Sequence, residues 1–261
     1  YISVTGVQTC ALPIFILFLV LLPVSLFATS QTKEFVYVGW ENDPYYYRDN
    51  ARGIQGVFHE IMAEVCQMQN YQCRFKILQF REAIEMLKRG EANGGGPFVF
   101  TYPRATILTF GERMFSSNYA FFALPKVAAK IHTYEDLSGQ TIGVLALSVS
   151  KVSLESVNEF VNGKIKVVSE KNITSIMRKI ENQNYPLGYL SREAGLSWIK
   201  KQQSAIQEIP NLGENLDYRF AFSKRSLSDD EYKKIEKSIR ELRQSGFLEK
   251  VAKKYGLRLA E

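Results

Sequence analysis

The chain has 261 residues, 33 Lys+Arg against 27 Asp+Glu, and a formal net charge of +6. With 46% hydrophobic and 23% charged residues it lies in the globular range, which excludes disorder, collagen and coiled coil as descriptions of the whole. The surplus of base is modest and interleaved with Glu, as at Lys233-Lys234 and Lys253-Lys254, the pattern of a solvated surface and not of a nucleic-acid patch.

No charged side chain occurs from Tyr1 to Thr32, and Ala11 to Ala28 is nearly all apolar. The small residues Ala28-Thr29-Ser30 follow, so the segment predicts export by a cleaved signal peptide and a periplasmic protein, with a retained anchor as the alternative. A signal peptide usually has a positive region before its apolar core, and none is present here. The stretch Val4-Thr5-Gly6-Val7-Gln8-Thr9-Cys10-Ala11-Leu12-Pro13-Ile14 resembles a translated sequencing adapter. That resemblance implies that residues 1–14 are an artefact and residues 15–30 the remnant of the signal.

Phe35 to Trp40 reads as a buried strand, closed by Glu41-Asn42-Asp43-Pro44. After a loop at Gly53–Gly56, the spacing of Val57, Ile61, Val65 and Met68 predicts an amphipathic helix to Gln69. A second strand follows at Arg74–Leu78. Phe80, Ala83, Ile84 and Leu87 mark a helix that Gly90 stops. Gly94-Gly95-Gly96-Pro97 is a breaker cluster before a short strand, Phe98–Phe100. Strand, helix, strand, helix, strand implies a parallel α/β sheet. Tyr119–Leu124 is a further strand, and then a second cycle starts. It has a helical turn at Tyr134–Leu137 and strands at Thr141–Leu145, Lys164–Val168 and Leu187–Leu190. Its helices run from Ser148 through Phe160, over Thr174–Ile180 and over Glu193–Gln202. Asp217–Phe222 alternates as a strand. Ser228 and Glu231 form a capping box for a helix through Ile235, Ile239 and Leu242. Gly246 breaks it before a last helix from Phe247 to Tyr255. Two similar cycles with a helical tail imply two lobes.

With Cys10 set aside, Cys66 and Cys73 are an even pair in an exported chain, which reads as one disulfide; two buried thiols are the alternative. His59 and His132 stand far apart with no second cysteine pair, so no metal or other cofactor is expected. No nucleophile elbow, P-loop or dinucleotide fingerprint occurs. Asn172-Ile173-Thr174 matches a glycosylation triplet, a common coincidence.

The informative segment is Gly94 to Phe110. A strand ends among glycines and a proline, where backbone amides can be left open to a ligand, and Thr101 and Arg104 follow at once. An arginine just past a strand end in such a sheet lies at the ligand crevice, where its planar fork can grip a carboxylate.

Four stretches, in order, resemble family 3 of the periplasmic solute-binding proteins, the polar amino-acid binders of ABC uptake systems. They are Gly56-Val57-Phe58-His59-Glu60-Ile61, Phe80 to Gly90, Thr101-Tyr102-Pro103-Arg104 with Phe110, and Tyr134-Glu135-Asp136-Leu137-Ser138-Gly139-Gln140-Thr141-Ile142-Gly143-Val144. The tail from Asp229 to Gly256 also fits, and Cys66 and Cys73 match the disulfide spacing of the basic amino-acid binders. The resemblance implies a two-lobed α/β clamp of the type II periplasmic-binding-protein kind, each lobe a mostly parallel sheet flanked by helices. Lobe 1 would be 33–117 plus 217–261, lobe 2 would be 118–216, and two hinge crossovers would join them. It further implies that Arg104 holds a ligand carboxylate, with Thr101 beside it and backbone groups of Pro97 and Val99 assisting. Ser148 and Val149 would offer a helix N-terminus, and the Phe80 ring would stack on the ligand. The implied partners are a small carboxylate-bearing solute and an inner-membrane ABC permease, with the protein a monomer.

Three departures bear on the ligand. Ser191 stands where the family usually has an acid for the ligand amino group, with Glu193 two residues on. Pro97 and Val99 replace serine-like donors. The loop Asn42-Asp43-Pro44-Tyr45 is short and aromatic. A zwitterion would need another acid, from Glu41, Asp43 or Glu193. Trp40 and Tyr45, just past a strand end, are candidates for a cleft wall around an apolar or ring-bearing group. Two other readings use the same fold: a cyclohexadienyl-dehydratase-like enzyme with Glu193 as general acid, and a ligand-sensing binding protein.

Overall fold

The chain turns back on itself through parallel strands whose buried faces are set by the apolar runs. The computed structural model describes residues 1–3, 5–6 and 32–261. The expected signal remnant and most of the adapter-like segment lie outside the described residues. Residues 1–3 and 5–6 have no regular secondary structure, and Thr32–Glu261 form one unit.

β1 (Lys33–Gly39) buries Phe35, Tyr37 and Val38 completely. β2 (Tyr47–Asp49) and β3 (Gly53–Gln55) form a small antiparallel hairpin. α1 (Val57–Met68) buries Val57, Phe58, Ile61, Met62 and Val65, an i, i+3, i+4 stripe. Each such side chain contributes about 1.5–3 kcal/mol by leaving water. β4 (Tyr71–Ile77) pairs parallel to β1, with Phe35 opposite Cys73. Cys66 at the end of α1 and Cys73 in β4 form a disulfide with Cα atoms 6.1 Å apart, inside the range a bridge spans. α2 (Phe80–Arg89) ends at Gly90, whose φ of 79° is the left-handed cap the sequence called for.

β5 (Gly94–Val99) differs from the expected strand at Phe98–Phe100. The glycines are not a breaker with free amides; they lie inside the sheet, between β1 and a later strand. A Cβ on Gly95 would meet Val38 O at 2.7 Å and one on Gly96 the Tyr37 hydroxyl at 2.7 Å, so close backbone approach is why they are glycines. α3 (Tyr102–Ala105), β6 (Leu108–Phe110), β7 (Phe115–Ala123) and α4 (Pro125–Ala128) follow.

The second cycle opens with a 3-10 turn at Glu135–Leu137. It continues through β8 (Thr141–Leu145), α5 (Val149–Phe160), β9 (Lys166–Glu170), α6 (Ile173–Glu181), β10 (Leu187–Ser191) and α7 (Arg192–Gln202). β11 runs from Gln207 to Ser223, far longer than the expected Asp217–Phe222. α8 (Asp229–Gln244) starts at the expected capping box. α9 (Phe247–Tyr255) and β12 (Arg258–Leu259) complete the chain.

The sheet order is β4-β1-β5-β11-β7-β10-β8-β9, with β6 on β11 and β12 on β7. β4, β1 and β5 are mutually parallel, as are β10, β8 and β9, and the antiparallel β7 and β11 run between the two sets. The carboxyl ends of β1, β5, β8 and β10 therefore face a common crevice.

Candidate functional site

A cleft opens at those strand ends. It is lined by Trp40, Asn42, Phe80, Pro97, Val99, Arg104, Tyr119, Leu145, Ser148, Val149, Ser150, Ile173, Leu190, Ser191 and Tyr218. Its enclosed free space is only about 40 Å³, far below the roughly 300–1,000 Å³ of typical ligand pockets, so the cleft is nearly closed as it stands.

Arg104 follows β5 in the short helix α3. Thr101 caps that helix: its Oγ1 accepts from the Arg104 amide at 3.3 Å. Thr101 thus orients the backbone of Arg104 and does not itself line the cleft. The guanidinium donates to Val99 O at 3.1 Å and Leu147 O at 3.2 Å, linking the end of β5 to the β8–α5 loop. It lies 5.4 Å from the Phe80 ring centroid and 5.7 Å from that of Phe98, a favourable cation–π arrangement. Burial pushes its pKa down from the usual arginine value, yet an arginine stays charged in a protein. No Asp or Glu pairs with it among the described residues.

Opposite, Ser148 caps α5 and accepts from the Lys151 amide at 3.2 Å. Its hydroxyl donates to Leu145 O at 2.6 Å and meets the Ser150 hydroxyl at 2.7 Å. The first amides of α5 have no carbonyl of their own helix to bond, and such a terminus favours an anion. Arg104 and the start of α5 thus give the cleft a positive wall.

The rest is apolar or neutral. Trp40 stands edge-on to Phe80 at 4.5 Å and to Phe98 at 4.9 Å. Leu145, Ile173 and Leu190 complete that side. At the floor lie Asn42, Ser191 and Tyr218. Burial pushes the Tyr218 phenol up to about 12, and both Ser191 and Asn42 lie close enough to temper that rise. By distance and angle, the buried side-chain atoms Ser191 Oγ and Asn42 Oδ1 have no hydrogen-bond partner among the described residues.

Of the ten site residues expected from the sequence, Trp40, Phe80, Pro97, Val99, Arg104, Ser148, Val149 and Ser191 come together in this cleft. Tyr45 does not. It is fully buried behind the floor, against Phe58, Phe115 and Tyr218, because the turn after β1 swings its ring into the core. Asn42, Tyr119, Ser150, Leu145, Ile173, Leu190 and Tyr218 join the lining without having been singled out as site residues. Asn42 carried the one usable signal, a polar residue within three positions of a strand end.

The three alternative acids are all engaged elsewhere. Glu193 accepts from the Ser117 hydroxyl. Glu41 accepts from the Arg48 amide at 3.0 Å, and burial raises its pKa. Asp43 pairs with Lys201. Asn172, of the glycosylation triplet, caps α6 by accepting from the Ser175 amide at 2.8 Å. The described residues hold no cluster of metal-ligating side chains and no helix long and apolar enough to cross a membrane.

This cleft at the strand ends of a two-part α/β sheet is the arrangement of a solute-binding protein. Residues 36–258 match the model of the bacterial extracellular solute-binding proteins, family 3, and the chain belongs to that family. No curated protein matches it. Among solved structures, an ancestral arginine-binding protein bound to arginine superposes with a TM-score of 0.77 at 18% identity, over 85% of this chain and 97% of that one. A histidine kinase sensor domain with similarity to periplasmic binding proteins gives 0.77 at 17%, over 88% and 99%. The ancestral amino-acid-binding protein AncCDT-1, a precursor of cyclohexadienyl dehydratase, gives 0.75 at 14%, over 85% and 95%. At these identities the likeness establishes the two-lobed fold.

Proposed function

We propose that the protein captures a small carboxylate-bearing solute, an amino acid or a relative, in the cleft and passes it to an ABC permease. It would act as a monomer in the periplasm. The lobes would be 33–117 plus 217–261 and 118–216, closing by hinge motion in the β7 and β11 crossovers. Arg104 carries this reading. A largely buried guanidinium that meets two carbonyls and no carboxylate is a receptor for an anion, and the start of α5 faces it across the cleft. The family membership supports capture and transport.

Removing that guanidinium should leave the solute carboxylate unpaired and desolvated. Arg104→Ala is expected to weaken binding by about 2 kcal/mol or more, roughly thirtyfold. Isothermal titration of the bound solute checks this, and unchanged affinity would remove Arg104 from the site.

Elimination chemistry on this fold would need a general acid facing the solute. Glu193, the candidate, is held by Ser117 and is absent from the cleft lining, which supports binding without turnover.

A further inference from the structure

The cleft lining contains one cation and no carboxylate. Its polar floor is Asn42, Ser191 and Tyr218, all neutral at physiological pH. Asn42 and Ser191 are 3% and 4% exposed, and Asn42 Oδ1 and Ser191 Oγ lack partners. A buried polar atom without a hydrogen bond is costly, so a bound solute should answer both. None of the nearby acids lines the cleft: Asp43 is charge-paired with Lys201, Glu41 accepts from the Arg48 amide, and Glu193 is turned to the Ser117 hydroxyl.

Charge balance then selects the solute. A monoanion neutralises Arg104 and leaves the closed cleft without net charge. A zwitterion adds a buried ammonium faced only by dipoles, which is costly. Asn42 Oδ1 accepts only, so the solute must bring a donor. Ser191 Oγ either donates or accepts. A neutral hydroxyl satisfies both atoms; a keto group cannot satisfy Asn42. Trp40, Phe80, Leu145, Ile173 and Leu190 surround whatever else the solute carries.

We infer that the preferred solute is a hydroxy monocarboxylate with an apolar or aromatic body, held by Arg104 at its carboxylate and by Asn42 and Ser191 at its hydroxyl, and not a zwitterionic amino acid. This rests on the carboxylate-binding reading of Arg104 and narrows it.

The test uses matched pairs that differ only at the second group: 3-phenyllactate against phenylalanine, and 2-hydroxyisocaproate against leucine. Each is titrated calorimetrically into the purified protein and into Arg104→Ala. At least one hydroxy acid is expected to bind tenfold or more tighter than its amino partner and to lose that binding in Arg104→Ala. Ser191→Ala should weaken the hydroxy acid roughly tenfold, the loss of about one hydrogen bond. Ser191→Asp should reverse the preference within the pair, and a melting curve shows whether each variant is folded. Tighter binding of the amino acids, lost in Arg104→Ala, would overturn this inference and leave carboxylate capture standing. No binding that depends on Arg104 from any of the four would overturn both. An unchanged preference in a folded Ser191→Asp would overturn the role given to Ser191.

Discussion

Glu236 is a buried acid with no role in the cleft. It lies in α8, is 5% exposed, and its Oε1 has no hydrogen-bond partner. Burial raises its pKa, the neighbouring Glu112 raises it further, and Arg240 offsets part of this. An acid whose pKa is raised on folding stabilises the fold fully only below its unfolded pKa, near 4.3, and loses that contribution as the pH rises through the folded value. Near neutral pH the site therefore works against the fold. Glu236→Gln keeps the shape and removes the charge, so it should stabilise the protein by on the order of 1 kcal/mol, about 2–4 °C in Tm. The gain should vanish at about pH 4, where the wild-type carboxyl is protonated as well. Melting curves at the two pH values check both statements. An equal gain at both would mean packing, not charge, is responsible. Glu231 has the opposite sign. Its hydrogen bonds to Lys33 and Ser228 lower its pKa to about 2, so its contribution is present near neutral pH and is lost as the pH falls toward that value.

Elements with a local signal were legible in the sequence. The capping box Ser228/Glu231 starts α8, Gly90 closes α2, and the apolar stripe of α1 fixes its buried face. The arginine after β5 was legible because the chain order placed it at a strand end. Elements defined by their neighbours were not. No element was expected between Gln202 and Asp217, yet β11 runs through Pro210, Asn211 and Gly213 with a register shift between Ile209 and Gly213 against β7. Tyr45 and Trp40 were indistinguishable as aromatics past β1, and only the turn between them sends one to the core and the other to the cleft. Gly213 shows how much such an irregularity matters. Its φ is 139°, and a Cβ there would lie 1.9 Å from Tyr119 O. The Tyr134 hydroxyl donates to its carbonyl at 3.0 Å and accepts from its amide at 3.1 Å. Tyr119 lines the cleft, so the bulge and the site share a residue. Gly213→Ala should cost about 2 kcal/mol or more in stability and weaken solute binding through displaced Tyr119. Denaturant unfolding and titration of one variant test both, and loss of neither would mean the bulge relaxes freely.

For the molecule as a whole, the proposed solute capture would be a balance between open and closed clamps, and contacts between the lobes away from the solute would bias it. Lys201 of α7 makes such a contact, pairing with Asp43 in the loop after β1. Lys201 Nζ also stands 4.2 Å from the Tyr47 ring centroid. The Lys201 side chain is 50% exposed and that of Asp43 21%, so salt screens the pair and its worth is modest, about 0.2–1 kcal/mol. The cation–π contact adds about 0.5–1 kcal/mol. Lys201→Ala removes both from the closed form only. It should therefore weaken solute binding roughly three- to thirtyfold at low ionic strength, with a smaller loss in about 0.5 M salt, where the charge pair is screened in the wild type too. Arg104→Ala should lose affinity at both ionic strengths, because its interaction with the solute is buried. Titrating both variants at low and high salt separates closure from recognition. Equal losses at the two salt concentrations for Lys201→Ala would mean that Tyr47, not Asp43, is the partner that holds the clamp shut.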